Sequence, residues 1–279
     1  MDFLMRDQSP LTDQEWEQID KAVVGVAKRQ LVARRFIEIF GPLGAGMQSV
    51  PVETYAGGSR GEIAVLGGED TQPVRAVKRV LTAAPVIFKD FSLHWRDLEA
   101  TRRLGLPFDA SAAAAASAFC CFREDELVFN GAPELGLHGL MTVPDRNTSP
   151  RGDWTQPGAG FQSVVTAVEK LVSAGFYAPY ALVISPRMHA LLHRTYMNSG
   201  VLEIDHVRRL MDGGVFQTPV LGDDRGVVVA LGPHNLDIAV VQDLVTAYLG
   251  PNGMDHEFRV MESIALRIKR PGAICTLEG

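Results

Sequence analysis

Cysteine is scarce in this 279-residue chain, which has only Cys120, Cys121 and Cys275. An odd number cannot all pair within one chain, and so few exclude a disulfide-built fold; a reducing compartment is the simpler reading. No uninterrupted apolar run reaches the length of a spanning helix, and the opening Met1-Asp-Phe-Leu-Met-Arg-Asp lacks the basic-then-apolar order of a secretory signal. Basic charge is also short. Lys and Arg total 27 against 33 Asp and Glu, a formal charge of -6, which argues against broad nonspecific binding to nucleic acid. The expectation is a cytoplasmic protein with neither a membrane nor a specific nucleic acid as partner.

Catalytic signatures are missing too. The glycines between 57 and 68 follow neither the GxxxxGK[ST] nor the GxGxxG order, and there is no GxSxG elbow. His189 and His193 are spaced to share one side of a helix and offer two metal ligands, but the stretch between them lacks the Glu of HExxH. Cys120 and Cys121 are adjacent and diverge on a helix, and Asp223-Asp224 reads as turn chemistry. The sequence therefore predicts no catalytic residue and no metal site. A self-contained hydrolase or protease, the reading from another functional class, has no nucleophile, base and orienting group to support it.

What is present is a well-patterned globular chain, 46% hydrophobic and 22% charged, large enough for one large domain or two smaller ones. Thr12 and Glu15 form a capping box ahead of a helix, with Leu11 and Trp16 as its hydrophobic staple. Trp16, Ile19, Val23, Val26 or Ala27, and Leu31 then give one apolar stripe. Residues 51 to 75 are Gly-rich and suit an extended hairpin or arm, with Ile63-Ala-Val-Leu66 as a candidate strand. A helix containing Leu98 follows, a further helix runs from Ser111 through the alanine run to a stop at Gly131, and Pro144 to Gly160 reads as a surface loop or domain crossing. A helix from Phe161, a buried strand at Ala181 to Ile184 and a short helix after Ser185-Pro186 follow. Strands are predicted at 227–231 and 236–241, and over the alternating stretch from Glu257 to Lys269, which Glu262 alone interrupts. The fold class is α+β. Asn198 to His206 reads as a polar loop whose charges would form a ring if copies met around a symmetry axis.

Several of these segments together resemble the encapsulin shell proteins, formerly described as linocin-like bacteriocins. The motifs are Met1-Asp-Phe-Leu-Met-Arg6, Gln30-Leu-Val-Ala-Arg-Arg-Phe-Ile-Glu-Ile-Phe-Gly-Pro-Leu-Gly44, Phe91-Ser-Leu-His-Trp-Arg-Asp-Leu-Glu99 and Glu124-Asp-Glu-Leu-Val-Phe-Asn-Gly131. Pro179-Tyr-Ala-Leu-Val-Ile184, Val201-Leu-Glu-Ile-Asp-His206, Gly214-Val-Phe-Gln-Thr-Pro-Val-Leu221 and Glu262-Ser-Ile-Ala-Leu-Arg-Ile268 continue the likeness in order along nearly the whole chain.

The resemblance implies an HK97-like major capsid protein fold with a P-domain, an A-domain and an extended E-loop. It divides the chain into 1–50 (amino-terminal helix and start of the P-domain), 51–85 (E-loop arm) and 86–160 (P-domain with the long helix and surface loop). The remainder is 161–235 (mainly A-domain, with a pore loop near 198–206) and 236–279 (strands returning to the P-domain). It implies identical subunits in an icosahedral shell, loaded with a dye-decolourising peroxidase or ferritin-like iron oxidase bearing a carboxyl-terminal targeting peptide, in iron storage or oxidative-stress protection. Arg34 and Glu38 match the family's charged positions at the cargo groove and would fix register, with Phe3, Leu31, Ile37, Asp243 and Leu244 around them. Asn198, Glu203, Asp205 and His206 match the five-fold pore loop. Trp95 matches a tryptophan that stacks on flavin (FMN) in some relatives, although no cofactor is required. A viral capsid protein of the same fold is the nearest structural alternative.

Overall fold

The computed structural model describes residues 3–56, 61–196 and 200–279. The amino-terminal half comprises α1 (Asp13–Gln30), β1 (Ile39–Phe40), β2 (Ser49–Ala56), β3 (Arg75–Ala83), β4 (Val86–Leu93), α2 (Trp95–Leu104), α3 (Ser111–Asn130), β5 (Gly131–Ala132), β6 (Leu137–His138) and β7 (Asn147–Pro150). The rest comprises α4 (Ala159–Ser173), β8 (Tyr180–Ile184), α5 (Pro186–Leu191), α6 (Glu203–Arg208), β9 (Gly214–Gln217), β10 (Gly226–Ala230), β11 (Leu236–Asn252), β12 (Asp255–Ile268) and β13 (Ile274–Glu278).

The capping box forms as its spacing predicts: the Glu15 amide donates to Thr12 Oγ1 at 3.3 Å and the Thr12 amide donates to Glu15 Oε2 at 2.7 Å. Trp16, Ile19, Val23 and Ala27 are the apolar residues that α1 buries, followed by Leu31 at its cap. The small residues of α3 let it lie close to α1, and Ser117 Oγ donates to the Val23 carbonyl at 2.9 Å. Phe119 and Phe122 point the other way and are exposed.

Two sheets organise the core. Four strands run in the order β1-β11-β12-β4 and five in the order β7-β13-β10-β8-β9. The five-stranded sheet divides two cores by simple alternation. Ala181, Val183, Val227, Val229 and Ile274 face the core containing α1 and α3, whereas Leu182, Ile184, Val228, Ala230, Cys275 and Leu277 face the core of α4, α5 and α6. Strands buried on both faces read as unbroken apolar runs, which is why β8 and β10 are plain in the sequence.

β2 and β3 pair antiparallel into a projecting arm. Val80 and Thr82 of β3 face a hollow lined also by Leu127, Ile264 and Leu266, while Val77 and Leu81 alternate to the exposed face.

Three expectations need correction. Ile63 to Leu66 forms no strand, and Ile63, Val65 and Leu66 are almost fully exposed at 99%, 97% and 98%, because the segment pairs with no strand among the described residues. The loop from Pro144 to Gly160 contains β7, which pairs parallel with β13. The strand predicted to stop at 241 runs on as β11 to Asn252, through register shifts on either side of Gln242 and after Tyr248 that hide its period-two pattern. Within residues 236–279, β11 and β12 join the four-stranded sheet, and β13, after the turn at Pro271–Ala273, adds to β10 in the other.

Candidate functional site

The chain turns sharply where α1 ends. Asp125 of α3 anchors this elbow by accepting the Val32 amide at 3.0 Å and the Ala33 amide at 3.0 Å. Burial pushes its carboxyl up to about 6 against the pull of those two amides, so the elbow hangs on an enclosed carboxylate.

Arg34 follows at once and is more deeply committed. Its Nε and Nη2 donate to Glu124 at 2.7 and 2.8 Å, Nη2 also donates to Glu262 at 2.6 Å, and Nη1 donates to Asp243 at 2.7 Å. Glu124 and Glu262 have side chains with 0% exposure, whereas that of Asp243 is 64% exposed. Burial opposes the charge of Arg34, but the surrounding carboxylates outweigh it and hold the guanidinium above its ordinary value. Burial, then the neighbouring Glu124, push the Glu262 carboxyl well above the usual range. Burial also opposes ionisation of Asp243, but there Arg34 and the Leu244 amide win and the carboxyl lies below its ordinary value.

Beside this cluster lies a groove of about 340 Å³ lined by Val24, Ala27, Lys28, Leu31, Arg34, Arg35, Asp243 and Leu244. Ala27, Leu31, Cys121 and Leu244 pack together as its apolar floor. One wall is the last turns of α1. The other is the bulge of β11, where the ladder skips from Gln242 to Val245 and leaves Asp243 and Leu244 without cross-strand partners in register.

The structure thus brings together Leu31, Arg34, Asp243 and Leu244 of the residues singled out for cargo. It does not bring the other three to the groove. Ile37 is buried in the main core, Glu38 is exposed with its carbonyl accepting the Ile238 amide at 2.9 Å, and Phe3 is exposed ahead of Leu4, whose carbonyl accepts the Tyr248 amide at 2.9 Å. Arg34 is also not a free register-fixing group, because four of its N–H bonds already point at its own chain's carboxylates. The residues that sequence reading missed are Glu124 and Glu262, though the lone carboxylate in the alternation of β12 was the available signal.

The segment expected to line a pore is only partly a loop. Asn198 lies outside the described residues, and from Glu203 onward the chain is α6. Glu203 is fully buried: it accepts the Phe161 amide at 2.8 Å and the Gly158 amide at 3.2 Å at the start of α4, and pairs with Arg194 Nε at 3.2 Å. Its carboxylate is committed to donors of its own subunit. Glu203→Ala is expected to cost about 1–3 kcal/mol by leaving those donors unsatisfied, read as a lowered unfolding midpoint in denaturant. Asp205 is partly exposed and pairs with Arg208 at 3.2 Å. The His206 ring lies 5.9 Å from that of Phe161 and 4.6 Å from that of Tyr196.

The His189 and His193 rings come within 4.8 Å, but no group of three or more His, Cys, Asp or Glu able to hold a metal occurs among the described residues. Burial pushes all three cysteine thiols up, away from nucleophilic character. Trp95 opens α2 beside His94 and Arg96, at ring distances of 6.0 and 5.4 Å, and borders an open hollow with Arg102, Arg103 and His256. That exposed rim, which Glu99 shares, aims no buried donor at a planar ring among the described residues, so the residues do not fit a resident flavin. No helix among the described residues is long and apolar enough to cross a membrane.

Comparison with known proteins gives these features a context. Residues 1–265 match the family model described as an encapsulating protein for peroxidase. The type 1 encapsulin shell protein of Myxococcus xanthus is similar at 50% identity, covering 100% of this chain and 97% of that one. A diheme-cytochrome-encapsulin shell fusion protein of Kuenenia stuttgartiensis is 44% identical over 96% of this chain and 74% of its own length. Among solved structures, the virus-like particle from Pyrococcus furiosus superposes with a TM-score of 0.77 at 24% identity, over 96% of this chain and 100% of that one. The chain therefore belongs to the type 1, linocin-like encapsulin shell proteins of HK97-like fold.

Proposed function

We propose that copies of this chain close into an icosahedral shell and that the groove between α1 and the β11 bulge takes a short targeting peptide carried by the enclosed protein. The observation that carries the reading is the groove itself, an apolar floor of Ala27, Leu31 and Leu244 with charged groups at one end. Apolar anchors supply affinity in such a groove and the charged rim supplies specificity. Many copies in one shell convert a weak peptide site into firm retention.

In this reading 49–83 is the E-loop arm, the four-stranded sheet with α3 forms most of the P-domain, and the helices α4 to α6 with the five-stranded sheet form the A-domain. Asp205 and His206 are then the pore residues, since Glu203 is committed internally. The enclosed protein is a redox enzyme, either a dye-decolourising peroxidase or a ferritin-like iron oxidase. The family description names a peroxidase, and the Kuenenia relative is named as a fusion with a diheme cytochrome. The shell's role is then in iron storage or oxidative-stress protection.

Val24→Asp combined with Leu244→Asp tests the groove, because both side chains line it and neither is fully buried. Shells purified from native cells are expected to close normally but to lose at least about tenfold in enclosed protein, since a charge in an apolar anchor site costs more than 1.4 kcal/mol per site. Undiminished protein content, by gel densitometry of purified shells, would overturn the groove assignment.

A further inference from the structure

The cluster behind the groove does not balance in charge. One guanidinium, Arg34, faces Glu124, Glu262 and Asp243, and two of these carboxylates have no exposure at all. Glu262 Oε2 is bound to Arg34, but Oε1 is buried without a hydrogen-bond partner. Glu124 and Glu262 accept from the same nitrogen, Arg34 Nη2, at 2.8 and 2.6 Å, so the two carboxylates lie side by side. Two ionised carboxylates so placed repel, and a buried charged oxygen without a donor is costly; a proton on Glu262 removes the second charge from the enclosure. The other carboxylates around the pair work in the same direction. Asp243 adds negative charge from β11, Asp125 adds it from α3, and Cys120 and Cys121 are neutral thiols on α3. Arg34 is the one cation in direct contact with it among the described residues, and the cations Lys89 and Arg35 act on Cys120 and Asp125 instead.

We infer that Glu262 keeps its proton at neutral pH beside Glu124 and that the two act as a positioning pair for the groove, holding Arg34 and, through it, Asp243 at the rim. The function of the pair rests on the groove reading above; the proton on Glu262 does not. With the proton in place the cluster carries a net charge of about -1, concentrated on exposed Asp243. When it leaves, a second uncompensated charge is buried under the elbow at Val32 and Ala33, and the rim loses its fixed geometry. The sign follows from linkage: a carboxyl raised in the groove-competent state favours that state at lower pH, and the advantage fades as pH rises through the raised value. Peptide retention therefore weakens by up to about tenfold per pH unit above that point.

The first test needs no ligand. Infrared spectra of intact shells at pH 7 are expected to show the C=O stretch of a protonated carboxylic acid, shifted in D2O, which Glu262→Gln removes. Glu262→Gln keeps shape and supplies the missing donor, so it should close shells as the unaltered chain does. Absence of the band at pH 7, or its survival in Glu262→Gln, overturns the protonated Glu262. The second test uses shells purified from native cells with their enclosed protein and compares hydrogen exchange across residues 24–35 at pH 7 and pH 9.5, corrected for the intrinsic rate. Faster exchange at high pH in the unaltered chain and pH-independent exchange in Glu262→Gln are expected. Equal pH dependence in both overturns the positioning role. Failure of the groove reading looks different: Val24→Asp with Leu244→Asp would retain enclosed protein while the acid band remained.

Discussion

Arg34→Ala is expected to destabilise the subunit by about 3–5 kcal/mol, because it leaves Glu124 and Glu262 buried and uncompensated. Asp243→Ala removes another partner of the same guanidinium but should cost only about 0–1 kcal/mol, since its carboxylate is largely in water. The contrast matters more than either value. A groove residue that only touched a peptide would leave the empty subunit unaffected, whereas Arg34 ties the short 3-10 turn at Ala33–Arg35 to α3, β11 and β12 at once. Denaturant midpoints of the two variants, compared at equal subunit concentration, provide the check. Equal midpoints would show that the buried carboxylates do not depend on Arg34. It also follows that loss of enclosed protein in an Arg34 variant says little about peptide contact, which is why Val24 and Leu244 are the better probes.

Val77→Asp with Leu81→Asp should abolish closed shells while leaving a folded subunit or small oligomers. Both side chains lie on the face of β3 that its own body does not cover, at 63% and 69% exposure, so charge there costs the isolated subunit little. A two-stranded projection is marginal alone and becomes stable when another surface buries it. In the proposed shell each arm lies on a neighbour, and burying two charges there would cost on the order of several kcal/mol per subunit, repeated at every contact. Size-exclusion chromatography with light scattering reads the outcome. Full-sized particles would show that this face of the arm makes no subunit contact.

How much of this was legible in the sequence differs from element to element for physical reasons. α1 was readable because its cap, staple and stripe are all local, and α3 because alanine propensity and a terminal glycine agree. β8 and β10 announce themselves as continuous apolar runs because both faces are covered. Ile63 to Leu66 misled because an apolar run predicts burial without saying whether the partner lies in the same chain. β11 was truncated because bulges break the alternation at the point where Asp243 and Leu244 are needed. Of the groove, Leu31, Arg34, Asp243 and Leu244 came from family likeness, and only the contacts separate them from Ile37, a core residue. Glu203 shows the converse: a carboxylate in a polar stretch looks solvated until α4 is found starting above it. Glu262 is the instructive case. A single carboxylate on the buried face of a strand, far from Arg34 in sequence, was visible as an irregularity but had no visible partner.

The account rests most directly on assembly, and electron cryo-microscopy of particles from native cells measures it. Closed icosahedral shells are predicted, with the arm of each subunit lying on a neighbour and extra density in the groove between α1 and the β11 bulge. Monomers or small open oligomers under gentle purification, with the faces of Val77 and Leu81 uncovered, would contradict it.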